Sequence, residues 1–251
     1  MNEDPGRLEM TTAPATVPIL FRDEAIVVVD KPSGMPVHRG AGHHGDVVMT
    51  LVRDAIGQWV YPVHRLDAPT SGVMAFALSS THAAALQGAF EARLVQKRYL
   101  ALVLGEVPDA GVLDSPMRRN KTKKGGPEVE SITEYERLFV VPFCGPDGAL
   151  SLVSVTPKTG RQHQIRRHFR RFHHALAGDV SYGRGPKNQR LRDELGLHRL
   201  ALHAVAITLP HPVTGEAMNF TAEVPEDLRA PFLRAGIPEE VLDVTSLRTN
   251  R

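Results

Sequence analysis

The sequence predicts an α+β fold built on a mostly antiparallel sheet, and three observations carry that prediction. Short runs rich in Val, Ile and Leu recur along the chain and read as strands. Several are separated only by turn-forming residues, which joins them as antiparallel pairs. Helical patterns fall between them irregularly and not after every strand, which argues against a βαβ alternation. With 42% hydrophobic and 23% charged residues, the chain has the make-up of a globular protein. No repeat or shift of composition divides it, so one domain over residues 17–236 is expected, between tails at 1–16 and 237–251.

Taken in order, the residues before Val17 are polar, contain proline and show no periodicity, as a mobile tail does. Ile19–Phe21 and Ile26–Val29 form a hairpin across Arg22–Ala25, and Lys31-Pro32-Ser33-Gly34 ends its second strand. His38–Gly45, rich in glycine and histidine, reads as a loop, and Val48–Ile56 as a short helix. His43 and His44 have no third ligand at a metal-binding spacing and read as solvated. The stretch His64-Arg65-Leu66-Asp67-Ala68-Pro69-Thr70-Ser71-Gly72 forms a turn that leads straight into a buried strand, Val73–Leu78. Ser79–His82 supplies cap formers for a helix over Ala83–Leu94, capped near Ser80. Lys97–Leu104 is a strand with Tyr99 near its start.

Met117–Glu128 holds the densest basic run in the chain, Arg118, Arg119, Lys121, Lys123 and Lys124. Its Gly-Pro content makes it a loop, either a solvated surface or an RNA-facing arm. Ile132–Val141 and Ala149–Val155 pair across Gly145–Gly148. Gln162–His173 reads as a helix with Ile165, His168, Phe169 and Phe172 on one stripe. Arg166, Arg167, Arg170 and Arg171 fall mostly off it. His163 and His168 are five apart, so they do not share a face as a zinc pair would, and packed or hydrogen-bonded histidines are expected. Leu200–Leu209 pairs with Ala217–Glu223, and a helix near Pro225–Ala235 precedes a polar end.

The formal net charge of +2 is close to balance, so affinity for nucleic acid rests on where Lys and Arg are placed. Cys144 is the single cysteine, which excludes an internal disulfide and multi-cysteine metal patterns and suits a reducing compartment. The N-terminus lacks the basic segment and apolar core of a signal peptide. No apolar run approaches the roughly 20 residues that span a bilayer. A cytoplasmic protein without membrane contact is expected.

Four polar clusters stand at strand ends: Lys31–Gly34 with Val37-His38, His64–Gly72, Lys97–Tyr99, and Thr159-Gly160-Arg161-Gln162-His163-Gln164-Ile165-Arg166. Together they resemble the ordered signatures of the RluA-type pseudouridine synthases. The form HRLDxxTSG is matched throughout His64–Gly72. KxYxAxV is matched by Lys97, Tyr99, Ala101 and Val103, and TGRxHQIR by Thr159–Arg166. The resemblance runs from Ile19 to Glu223, with no small basic domain of the S4 type expected ahead of it. Arg166-Arg167-His168-Phe169, Gly178-Asp179 and Leu200–Ala204 look most like the TruC branch, the tRNA pseudouridine-65 synthases. Ala175 stands where relatives commonly carry Pro.

The resemblance implies the pseudouridine synthase fold, a mostly antiparallel mixed sheet flanked by helices with a catalytic cleft across it. It also implies an isomerase that works on RNA without cofactor or metal, as a monomer. Asp67 would be the essential carboxylate, as nucleophile or as base toward the ribose, with Arg161 as its partner. Tyr99 would lie under the uracil and handle the C5 proton. Arg65 would enter the duplex in place of a flipped uridine, with His64 and Thr70 shaping the turn beside the RNA. Arg118, Arg119, Lys121, Lys123, Lys124, Arg166, Arg167 and Arg170 would grip phosphates. A synthase acting on ribosomal RNA is the nearest alternative, and a non-catalytic RNA-binding protein of the same fold is a weaker one. A glycoside or nucleoside hydrolase would need a second carboxylate or a metal, and no second acid stands out beside the four clusters.

Overall fold

The computed structural model describes residues 16–39, 45–118, 127–143, 148–183 and 185–244. The expected tail at 1–16, apart from Thr16, therefore lies outside the described residues, as do His43, His44, Cys144, Arg119, Lys121, Lys123 and Lys124. Strands β1 (Ile19–Arg22) and β2 (Ile26–Lys31) form the expected hairpin. Asp23 closes it, its carboxylate accepting from the N–H groups of Ala25 and Ile26 as an Asx turn does. Helix α1 (Val48–Ile56) follows, stopped by Gly57 in the left-handed conformation. The short β3 (Tyr61–Pro62) and the fully buried β4 (Ser71–Ala77) come next.

Helix α2 spans Ser80–Glu91, three residues ahead of the range expected from the sequence. The cause is Ser79, whose hydroxyl accepts from His82 N and starts the helix there. Then come β5 (Gln96–Leu104), β6 (Ala110–Leu113), the two-residue strands β7 (Met117–Arg118) and β8 (Glu128–Val129), and the long pair β9 (Thr133–Pro142) and β10 (Ala149–Pro157). Helix α3 (Gln164–Arg171) is shorter than expected at both ends. Helix α4 (Gly185–Leu195) has no counterpart in the sequence reading, because its surface is almost wholly polar and only Asn188, Leu191 and Leu195 are buried. Strands β11 (Leu202–Pro210) and β12 (Ala217–Thr221) and helix α5 (Glu226–Arg234) complete the set.

The main sheet runs β1-β2-β4-β11-β5-β10-β9-β6, with β12 beside β11 and β3 beside β4. Every pairing is antiparallel except β11 with β4. Strand residues alternate between faces, and both faces are covered. Tyr99, Ala101 and Val103 of β5 join the core that includes α1, α2 and α3. Leu100, Leu102 and Leu104 join a second core against α4 and α5. Residues 237–244 depart from the expected C-terminal tail: Ile237, Leu242 and Val244 are buried in that second core, around a 3₁₀ turn at Glu239–Leu242. Their apolar side chains are too few and too widely spaced to show periodicity, and only the packed surface of α5 reveals their role. Among the described residues no helix is long and apolar enough to cross a membrane.

The parallel junction of β4 and β11 fixes the place of the polar turn before β4. Gly72 sits there at φ +114°, and a Cβ on it would lie 2.2 Å from the carbonyl oxygen of Ala204. Both the backbone angle and the contact therefore require glycine. Gly72→Ala is expected to destabilise the fold by about 3 kcal/mol or more, lowering Tm by roughly 6–12 °C. Thermal unfolding checks this.

Candidate active site

The turn between β3 and β4 is clamped from behind. Gly34 N and Lys31 Nζ both donate to Ala68 O, at 2.8 and 3.1 Å, and Ser33 Oγ donates to Pro69 O at 2.9 Å. Lys31 is fully buried. Burial and the nearby Arg199 pull its pKa down to about 7, against the opposing charges of Asp67 and Asp30. Arg199 reaches Ser71 Oγ at 2.7 Å and Asp227 at 2.9 Å, and Ser71 Oγ meets His203 Nδ1 at 2.8 Å. With its carbonyls held this way, the loop projects Asp67 to the other side.

His64 and Thr70, expected to shape the turn beside the RNA, are held in this scaffold and line the cleft. His64 Nε2 accepts from Ala75 N at 3.0 Å, with its ring 5.3 Å from that of Phe90. Burial and Lys97 push its pKa down to about 3, so it is a neutral acceptor committed to the backbone. Thr70 is only 2% exposed and its N–H closes the turn onto Asp67 O. Arg65, by contrast, is exposed at the rim.

Asp67 opens into a cleft of about 600 Å³ lined by the 63–70 turn, Phe90–Lys97, Tyr99, the 157–166 segment and Leu202. Its Oδ2 accepts from Arg166 Nη1 at 3.0 Å, and its Oδ1 lies 3.7 Å from His163 Nε2. This corrects two expectations. Arg161 also lines the cleft, but its Nε donates to Glu130 O at 3.1 Å, so it is not the partner of Asp67. Arg166 is not a phosphate-facing cation: it is 3% exposed, with Nε and Nη2 forming a two-pronged pair with Asp179 at 2.8 and 2.9 Å. Burial opposes its charge, but Asp179 and then Asp67 outweigh that and raise its pKa. Asp179 in turn is held below the usual carboxylate range: burial raises it, and Arg166 with the N–H groups of Tyr182 and Ser181 overcomes that.

The signature around Arg161 has a structural reason. The amide of Gln164 is fully used: its oxygen accepts from Thr159 Oγ1 and Arg161 N, and its nitrogen donates to Ile132 O and Thr133 Oγ1. That ties the loop before α3 to β9 and sets the helix start so that Arg166 points at Asp67. Tyr99 is buried in the cleft wall, and burial followed by the charge of Asp67 pushes its pKa up. Its phenol therefore stays protonated. Lys97 also lines the cleft, 5.9 Å from the Phe90 ring centre, with its pKa lowered by burial.

Of the remaining basic residues, Arg118 and Arg170 are exposed, and Arg167 is half-buried with Nη1 on Gln162 O. His168 is packed, its ring nitrogens on Thr133 Oγ1 and Ser115 O. The sequence reading missed Asp179, Tyr182 and the orientation of His163. One signal was available for Arg166: it stands three residues before Phe169, on the flank of the apolar stripe. Nothing local marked Asp179 as its partner.

A mixed sheet with a carboxylate at a strand entrance, paired to a buried arginine above a cleft, defines a class when joined to the ordered motifs. The family model described as RNA pseudouridylate synthase matches residues 25–171, and the chain belongs to that family. A Vibrio parahaemolyticus protein named tRNA pseudouridine synthase C is 38% identical over 244 residues, 92% of this chain and 99% of that protein. Its Pasteurella multocida namesake is 41% identical over 83% of this chain and 92% of its own. The solved structure of human RNA pseudouridylate synthase domain containing 4 superposes with a TM-score of 0.69 at 27% identity, covering 87% of this chain and 93% of that one.

Removing the carboxylate that braces Arg166 leaves a buried cation half-paired. Asp179→Asn is therefore expected to cost about 3–5 kcal/mol, read as the shift in denaturation midpoint. The lowered pKa of Asp179 means its contribution is complete above about pH 4 and disappears as pH falls below that. Stability measured against pH should show this acid loss in the wild type and less of it in the variant.

Proposed function

We propose that this chain isomerises a uridine of tRNA, that at position 65, to pseudouridine, with Asp67 as its essential carboxylate. The observation that carries the reading is Asp67 itself, held by Arg166 at the wall of a cleft that Tyr99 also lines. The cleft volume of about 600 Å³ is that of a small-molecule site, which suits a single nucleotide and not a paired duplex. The uridine must then leave the stack to reach Asp67. Arg65, exposed on the rim, has the planar guanidinium that stacks on and donates to the bases left behind.

The chemistry breaks the N1–C1′ and C5–H bonds, turns the base and forms a C5–C1′ bond, the proton lost from C5 being matched by one gained at N1. Asp67 acts on the ribose side of that exchange. A phenol of raised pKa is scarcely ionised and needs help to take the C5 proton, so Tyr99 supports and orients the uracil through its ring and hydroxyl. Arg161, anchored to the 130 carbonyl at the mouth of the cleft, and the exposed Arg118 and Arg170 with half-buried Arg167 suit phosphate contact. Arg119, Lys121, Lys123 and Lys124 extend that basic surface in sequence. The tRNA target draws its support from the name shared by relatives that match over nearly their full length.

Asp67→Asn should lower pseudouridine formation about 1,000-fold or more. Binding of tRNA should change little, because Asp179 still neutralises Arg166. Mapping pseudouridine in tRNA and ribosomal RNA incubated side by side checks both points. Product from Asp67→Asn at near wild-type rate would refute the role of Asp67, and wild-type product in ribosomal RNA alone would reassign the target. RNA affinity should fall linearly with salt on logarithmic axes as counterions are released.

A further inference from the structure

Helix α3 brings two side chains to Asp67, not one. Arg166 lies in its first turn, and His163 is the residue that caps it. Arg166 takes Asp67 Oδ2, while His163 Nε2 stands 3.7 Å from Oδ1. That separation is too long for a hydrogen bond and within reach of a small closing movement. His163 holds φ +52° at the cap of α3, a left-handed conformation that residues other than glycine rarely adopt. The ring is then steered from its far side, where Nδ1 meets Tyr182 Oη at 3.0 Å with the rings edge to face.

Tyr182 is itself placed by the carboxylate that places Arg166. Asp179 Oδ1 accepts from Tyr182 N at 2.9 Å as well as from Arg166 Nη2, and the Arg166 guanidinium lies 5.0 Å from the Tyr182 ring centre. The five residues Asp67, Arg166, Asp179, Tyr182 and His163 therefore form a chain of contacts in which Asp179 supports both arms and whose two ends, His163 Nε2 and Asp67 Oδ1, stand 3.7 Å apart.

We propose that His163 is a second positioning residue for Asp67, its Nε2–H donating to Oδ1 when RNA closes the cleft, and that Tyr182 selects the tautomer that makes this possible. A neutral imidazole has one donor and one acceptor nitrogen. When the Tyr182 hydroxyl donates to Nδ1, the proton resides on Nε2 and faces the carboxylate; the other tautomer presents a lone pair to a negative charge. The cation beside the phenol favours donation by Tyr182. With both oxygens held, Asp67 has one rotational setting toward the ribose. This inference rests on the reading of the chain as a pseudouridine synthase.

Asp67 is faced by Arg166 and His163 and feels the charge of Lys31, and its own charge acts on Tyr99. His163 is faced by Asp67 and Tyr182.

The test is single-turnover pseudouridine formation on tRNA, with tRNA affinity measured in parallel. His163→Leu should slow product formation about 10- to 100-fold, the loss of one hydrogen bond to a charged group, with tRNA affinity unchanged. His163→Gln, which keeps an N–H in the region, should recover much of the rate. Tyr182→Phe, which removes one oxygen, should give a smaller loss, and the double variant should be no slower than His163→Leu alone. No recovery of rate in His163→Gln, a loss confined to tRNA affinity, or additive losses would overturn the proposal. Absence of pseudouridine from the wild-type enzyme would instead overturn the underlying functional reading. Tyr182→Phe carries the test should His163→Leu fail to fold.

Discussion

Arg166 carries its charge where water hardly reaches, and the site depends on how that charge is balanced. Bringing a guanidinium into a protein interior is costly unless its donors and its charge are met. Asp179 meets it with both oxygens, and the remaining prong is left for Asp67. The arrangement is asymmetric in a useful way. Asp179 is fully buried and committed to structure, while Asp67 keeps part of its side chain open to the cleft. One carboxylate stabilises the cation permanently, and the other is aimed by it.

The sheet explains why these groups meet at all. Asp67 precedes β4, Arg166 begins α3 after β10, and Asp179 follows on the way to β11. The parallel contact of β4 with β11 places the start of β4 beside the chain that follows Asp179, at the end of the sheet where α3 packs. Gly72 permits that contact by having no Cβ. Behind the turn, Lys31, Ser33, Gly34 and Arg199 occupy its carbonyls. The polar loop is thus rigid on one side and chemically free on the other, which is the condition for a preorganised carboxylate.

Much of this was legible before any coordinates, for particular reasons. The strands β2, β4, β5 and β10 are largely buried on both faces, so they are runs rich in apolar residues that stand out from the turns around them. Three signatures then located Asp67, Tyr99 and the loop before α3. What was misread shares one feature. Arg166 looked like a surface cation because its neighbours are cationic, and Arg161 looked like the partner because it precedes the helix. Each assignment turns on the direction of a side chain at a helix start. A shift of one residue there rotates a side chain by about 100°.

By itself the sequence determined the α+β class, the strand pairs, the polar turn ahead of β4 and the residue types from which a uridine-handling site is made. Those follow from local chemistry: apolar periodicity, turn formers, and motifs read in order. Only the tertiary structure decided that Arg166 and not Arg161 bonds Asp67, that Asp179 braces it, that His64 is spent on Ala75 N, and that residues 237–244 close the second core. These are pairings between residues far apart in the chain. Which of two arginines meets a carboxylate depends on how a helix is seated on a sheet, and that seating is set by Gln164, Thr159 and the packing of Phe169, none of which shows in the spacing of the charges.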